Sequence, residues 1–130
     1  MSVRITNRLG KERKRELAEY EASMVDFKIG TISGNLKALI ADEKLEFKAG
    51  DIKPIKIKKV NLPANHICYM CAYATNQVGH TIAAGEETPL PISMDRHADH
   101  AAFAAAQDGT VEKNDLIGVV ILLPVHPTHL

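Results

Sequence analysis

Most of the chain consists of short segments in which apolar and polar residues alternate and which end at Gly, Pro or Asn. Each has the length and composition of a β-strand. In residues 54–60, PIKIKKV, Ile55 and Ile57 alternate with Lys56 and Lys58, so one face is buried and the other faces water. The predicted strands are 24–30, 36–42, 45–48, 52–60, 66–75, 79–84 and 116–125.

Two segments depart from this pattern. Residues 11–22, KERKRELAEYEA, are strong helix formers with charges at helical spacings, and they predict a short charged N-terminal helix. Residues 93–107 are rich in alanine, with Ser93 as an N-cap, so propensity favours a helix there too. Because the neighbouring segments are strands, we expect a strand from 99 to 105 instead.

Length and composition fit one small domain. A chain of 130 residues, 45% of them apolar, buries a single core without disulfides or metal. We therefore expect a mainly β protein, a compact antiparallel barrel or small sandwich over 25–130, preceded by a charged arm or helix over 1–24. No run approaches the roughly 18 apolar residues of a membrane span, and the N-terminus lacks the apolar segment of a secretory signal. The predicted location is the cytoplasm, without membrane contact.

The charges balance in total but not along the chain. Residues 1–59 hold 14 Lys and Arg against 9 Asp and Glu, whereas residues 60–130 hold 2 against 7. A neutral chain argues against a dedicated nucleic-acid binder, which has a net basic surface. Exposed edges of a small β-domain favour pairing between subunits. The predicted partners are further copies of the chain, as a homodimer or homotrimer, or another protein.

The densest group of chemically useful side chains lies in residues 85–103, GEETPLPISMDRHADHAAF. As a strand, this segment puts Asp95, His97 and Asp99 on one face, with an imidazole between two carboxylates. As a helix, it stacks His97 on His100 and Asp95 on Asp99. Both arrangements suit a general base, a ligand contact or a metal site. The candidate ligand-binding residues are Glu86, Asp95, His97, Asp99 and His100.

Histidine and sulfur side chains define two candidate metal sites, for zinc or another transition metal. The first set is His80, His97 and His100, and the second is His66, Cys68 and Met70. In a strand the second set shares one face and offers soft donors that suit Cu(I) or zinc. Cysteine and methionine are also ordinary core residues, and core packing is the competing interpretation. A pair with Cys71 is disfavoured, because residues i and i+3 of a strand point to opposite faces.

Three long phrases resemble a known archaeal family. They are ALIADEKLEFKAGDIKPIKIKKVNLPAN, GHTIAAGEETPLPISMDRHADHAAF and EKNDLIGVVILLPV, and the match around them would cover nearly everything from residue 27 to 125. They look like the family called domain of unknown function 22. That resemblance implies an archaeal, cytosolic source and brings no catalytic residues.

The end of the chain carries a resemblance of shape only. A polar turn followed by DLIGVVILLPV is similar to the closing hairpin of β-clip proteins such as dUTPase-like and SAF-type domains, with Asn114 in place of their usual glycine. The active-site motifs of dUTPases are missing. The resemblance therefore implies a β-clip-like barrel and no activity.

Two functional hypotheses of different classes follow. The first is an accessory module that binds a small ligand or a protein in a groove flanked by residues 86–100. The second is a metalloprotein or enzyme that uses Asp95, His97, Asp99 and His100, with His80, as ligands or as an acid–base group. No phosphate-binding loop, nucleophile elbow, kinase motif or zincin motif is present in the sequence.

Overall fold

The chain folds as β-strands joined by turns. The structure is a computed structural model that describes residues 2–6, 12–16, 23–71, 76–85 and 90–126. The strands are β1 (Ser2–Thr6), β2 (Glu12–Glu16), β3 (Ser23–Ile29), β4 (Ile32–Ile40), β5 (Leu45–Phe47), β6 (Ile52–Leu62), β7 (His66–Met70), β8 (Gly79–Gly85), β9 (Arg96–Ala105), β10 (Gly109–Val111) and β11 (Leu116–Pro124). The prediction of a mainly β protein is confirmed. None of the described segments is a helix long and apolar enough to cross a membrane.

Two open antiparallel sheets form the body of the protein. One has the order β3-β4-β11-β7 and the other the order β6-β9-β8, while β5 pairs with β10 and β1 with β2. The predicted barrel is wrong, because these sheets do not close. Among the described residues, one isolated β-bridge joins the two sheets, between Ala41 and Ile57. The edge strands β7 and β8 are not hydrogen-bonded to each other.

The two sheets share one hydrophobic core. Leu39 and Leu122 from the four-stranded sheet pack with Ile55, Ile57 and Phe103 from the three-stranded sheet. The lysines between and after the isoleucines of β6 lie on the outer side, as the alternation predicts. The core therefore stabilises both sheets at once, since each apolar face is removed from water by the other.

The predicted N-terminal helix is wrong where it can be compared. Glu12–Glu16 is a strand that pairs with β1, and residues 11 and 17–22 of the prediction lie outside the described residues. Val3 is buried with Ala38, Ile40 and Leu116. This burial holds β1 extended, and β2 then pairs with the backbone of β1. Helix propensity amounts to only tenths of a kcal/mol per residue, so tertiary packing decides.

The undecided alanine-rich segment is a strand, as we expected. It forms β9, which starts earlier than predicted, at Arg96, and lies between β6 and β8. Small side chains are needed there, because Ala98 and Ala101 are buried in the core beside the large ring of Phe103. Pairing with a strand on each side overrides the helix propensity of alanine.

Candidate ligand-binding cleft

An irregularity in the sheet determines where the predicted site residues point. Between the pairs Lys56–His100 and Val60–Ala98, three residues of β6 lie opposite a single residue of β9. Such a bulge breaks the alternation of inward and outward side chains. Ala98 and Ala101 are both buried, and Asp99 and His100 between them are both partly in water.

Asp99 and His100 form a surface ion pair. His100 Nδ1 lies 2.9 Å from Asp99 Oδ1, with the side chains 51% and 40% exposed. This hydrogen bond, helped by the nearby charge of His97, lowers the pKa of Asp99 below its ordinary value. At this exposure water screens the attraction, so the pair contributes little to stability.

The other residues of the predicted cluster are dispersed. Asp95 precedes β9, and its Oδ1 accepts a hydrogen bond of 2.8 Å from the Ala64 N–H, which fixes the turn before β7. His80 lies opposite Ala104, four positions from His100, which is roughly 13 Å along a strand. Glu86 lies outside the described residues. In the described part of the chain, no three His, Cys, Asp or Glu side chains are grouped so as to hold a metal ion.

The second candidate metal set, His66, Cys68 and Met70, lies on β7, where every second side chain shares a face as predicted. Cys68 and Met70 pack against the main core. Burial raises the pKa of the Cys68 thiol, and the charge of Arg96 opposes that shift. His66 Nδ1 is 3.0 Å from the carbonyl oxygen of Ala64, a contact in which the ring nitrogen donates. The sulfur atoms therefore act here as core packing.

A cleft of about 520 Å³ opens where the two sheets diverge, between β7 and the ends of β6, β8 and β9. Four of its lining residues, Leu90, Ile92, Arg96 and His97, belong to the segment 86–100 that the sequence predicted to flank a groove. Apolar side chains form most of its walls, and an arginine, a histidine and a tyrosine supply polar groups. The lining residues are Leu62, Ile67, Cys68, Tyr69, Ala84, Gly85, Leu90, Ile92, Arg96 and His97.

Arg96 supplies the positive charge of the cleft. Its Nη2 donates a hydrogen bond of 2.6 Å to the carbonyl oxygen of His66, which anchors the guanidinium to β7. Its Nε is buried and has no hydrogen-bond partner among the described residues. A partly buried guanidinium is less screened by water than a surface one, so it attracts an anionic group strongly.

Sequence reasoning found His97 but missed Arg96 and Tyr69. One signal for Arg96 was available, because it is the only arginine after residue 15. A guanidinium suits the recognition of carboxylates and phosphates, so an isolated arginine next to a predicted site histidine is a candidate for such a contact. Tyr69 gives no such signal, since it becomes a wall of the cleft only through the divergence of the sheets.

The fold and the cleft define a small mainly β domain with an arginine-bearing pocket at the junction of two open sheets. By sequence, the chain belongs to the family described as Domain of unknown function DUF22, whose model matches residues 2–109. It is similar to an uncharacterised protein of the archaeon Methanocaldococcus jannaschii, with 40% identity over 116 residues, covering 89% of this chain and 85% of the relative. No solved structure matches the chain. The predicted family is confirmed.

Proposed function

We propose that the protein is an accessory module that binds a small organic anion with an apolar body in this cleft. The observation that carries the proposal is the position of Arg96, a guanidinium held by a backbone carbonyl at the wall of a pocket lined mainly by apolar side chains. Pockets of this kind use apolar walls for affinity and a few polar groups for orientation. His97 is the second group that orients the ligand.

The residues that line the cleft have two roles in binding the anion. Leu62, Ile67, Leu90 and Ile92 take the apolar part of the ligand out of water, which contributes roughly 0.8 kcal/mol for each buried methylene. Arg96 binds the carboxylate or phosphate with charge-assisted hydrogen bonds, each about 1.5–3 kcal/mol. A six-carbon acid is therefore a suitable probe.

The test is calorimetric titration with hexanoate, and with hexanol as the uncharged analogue. We expect saturable hexanoate binding that Arg96→Met weakens by about 10- to 100-fold, and weaker binding of hexanol. Arg96→Lys should recover part of the affinity. Lys113→Met, which removes the other basic side chain of the second half, is the control and should change nothing. Equal affinity of hexanoate for the Arg96→Met and unaltered proteins would overturn the proposal.

The alternative function is metal binding or acid–base catalysis by the histidine and aspartate cluster. It rests on the 2.9 Å hydrogen bond between Asp99 and His100, with His97 close enough to influence Asp99. Elemental analysis of protein purified without a histidine tag tests it. Stoichiometric zinc, copper or iron that disappears in His97→Ala and His100→Ala supports this alternative. Metal-free protein with unchanged stability in both variants rejects it.

We also propose that the protein is a cytoplasmic homodimer or homotrimer, or joins another protein, through its sheet edges. Support comes from Ile29, Ile32 and Tyr69, large apolar side chains on the edge strands β3 and β7 and the adjoining end of β4 that are about half exposed or more. Unpaired edges beside exposed apolar groups favour association. Light scattering after size exclusion is the measurement, and a single species at 14.2 kDa would reject self-association.

A further inference from the structure

A second pocket lies on the core-facing side of the four-stranded sheet and shares no lining residue with the cleft of Arg96. Strand register places Asp26 opposite Asn35, Asn35 opposite Leu122 and Leu122 opposite Cys68. Since partners across a sheet share a face, and Leu122 is in the core, this row lies on the core side. The row is apolar at Leu122 and becomes polar towards β3.

The next row on the same face is polar as well. Side chains two positions apart in a strand share a face, so Lys28 lies beside Asp26, Ser33 beside Asn35, and His66 beside Cys68. These side chains enclose a pocket of about 590 Å³ at the point where the apolar core ends. Its lining is Asp26, Phe27, Lys28, Ser33, Gly34, Asn35, His66 and Leu122.

The pair Phe27 and Gly34 explains why polar side chains face inwards here. A Cβ atom on Gly34 would lie 2.7 Å from Phe27 Cζ and 2.8 Å from the backbone oxygen of Leu122. The phenyl ring therefore lies over the bare glycine on the outer face. With Phe27 held outside, the neighbouring Asp26 and Lys28 must point to the core side.

The pocket is rich in hydrogen-bond acceptors. Asn35 Oδ1 is buried and receives no hydrogen bond from the described residues. His66 uses Nδ1 as the donor to Ala64, so its neutral ring presents Nε2 as an acceptor. The Asp26 carboxylate is a further acceptor, and Ser33 both donates and accepts. A buried acceptor without a donor is unfavourable, and a ligand hydroxyl can supply the missing donor.

The remaining features identify the ligand class. The ammonium group of Lys28 lies on the same face, which disfavours a metal cation, and no metal-type group of three ligands occurs in the described ranges. Several acceptors together with a few donors match a neutral molecule that carries many hydroxyl groups. We propose that this pocket binds a sugar or another polyol through Asp26, Ser33, Asn35 and His66.

The test is an amide-shift NMR titration of the labelled protein with three probes, D-ribose, D-glucose and myo-inositol. We expect at least one of them to give saturable shifts at the amides of residues 26–35 and 66. Asn35→Leu keeps the shape of the side chain and removes its polar atoms, and it should weaken binding about tenfold or more. Its unfolding midpoint should stay equal or rise, because an unsatisfied buried acceptor has been removed.

The outcomes of these experiments distinguish polyol binding in this pocket from anion binding in the Arg96 cleft. Arg96→Met, which removes the hydrogen bond to the His66 carbonyl, should keep the polyol shifts at the amides of residues 26–35 while it loses hexanoate, and Asn35→Leu should do the reverse. Asp26→Ala, at an exposed position, should weaken polyol binding without a change in fold. Absence of saturable shifts with all three probes would overturn the proposal. So would shifts confined to the Arg96 cleft, or an Asn35→Leu variant that is less stable yet binds the polyol normally.

Discussion

The ion pair between Arg4 and Asp115 attaches the N-terminal strand to the body, and its removal should be costly. Both Asp115 carboxylate oxygens accept from Arg4, Oδ1 from Nε at 2.5 Å and Oδ2 from Nη2 at 2.7 Å. Asp115 is fully buried, and among the described residues its carboxylate accepts one further hydrogen bond, of 2.9 Å, from the Glu112 N–H. Arg4→Met would leave a buried charge with that one hydrogen bond.

The expected magnitude follows from this burial. Removing one partner of a buried ion pair costs about 3–5 kcal/mol, against about 0–1 kcal/mol for an exposed pair. The loss of stability in Arg4→Met has an upper limit, because β1 can detach from the body and let water reach Asp115. Detachment loses the burial of Val3, which costs roughly 1.5 kcal/mol or more. We therefore expect a loss of about 3 kcal/mol, together with faster exchange of the β1 amides.

Urea unfolding, followed by circular dichroism, measures this loss. With a slope of about 2 kcal/mol/M for a domain of this size, the midpoint should fall by about 1.5 M. Lys44→Met is the matched control, because Lys44 and Glu112 are 3.8 Å apart and both largely exposed. A cycle with Asp115→Asn gives the coupling energy. An Arg4→Met midpoint equal to that of the control, with unchanged amide exchange in β1, would refute the reasoning.

Three further predictions concern single side chains. In β8, Gly79→Ala should lower the free energy of unfolding by about 3 kcal/mol or more, because the added Cβ would lie 1.9 Å from a backbone oxygen of β9. Gly85→Ala is the control and should leave the urea midpoint nearly unchanged, because the space around Gly85 is open. The Lys58 hydrogen bond lowers the pKa of Asp42 below 3.8. Its stabilising effect is therefore complete above that pH and is lost as the pH falls through the lowered pKa. Lys58→Met should reduce this part of the acid titration of stability, with a smaller part remaining because Lys113 and Lys56 also lower the pKa of Asp42. Because burial raises the pKa of Cys68, iodoacetamide should alkylate it about tenfold more slowly than a free peptide thiol at pH 8, as followed by peptide mass spectrometry; equal rates would contradict the burial.

Local signals predicted the strands from residue 24 onwards well and the described part of the N-terminal segment poorly. Ile55 and Ile57 could be assigned to the core because their alternation with lysines is a property of one strand. The predicted helix failed at Glu12–Glu16 because β1, a separate segment, provides a pairing partner for these residues. Propensity describes a segment alone, and here the pairing partner decides.

The two pockets differ in how far a sequence can reveal them. His97 was found because a run of acids and imidazoles is visible locally, and Arg96 lies beside it. The polar pocket joins Asp26, Asn35 and His66 from three strands, and only the register brings them to one face. Without knowing that β11 lies between β4 and β7, no spacing in the chain connects these residues.

The place of β11 has a consequence for synthesis of the protein. It lies inside the four-stranded sheet, between β4 and β7, yet it comes after all the other described strands. While a ribosome makes the protein, β4 and β7 have no common neighbour until residue 124 has emerged. The sheet therefore assembles late, and the nascent chain exposes the apolar faces of β4 and β7 until then. Contacts of such long sequence separation also make folding slow, so the unfinished chain is the form most open to aggregation.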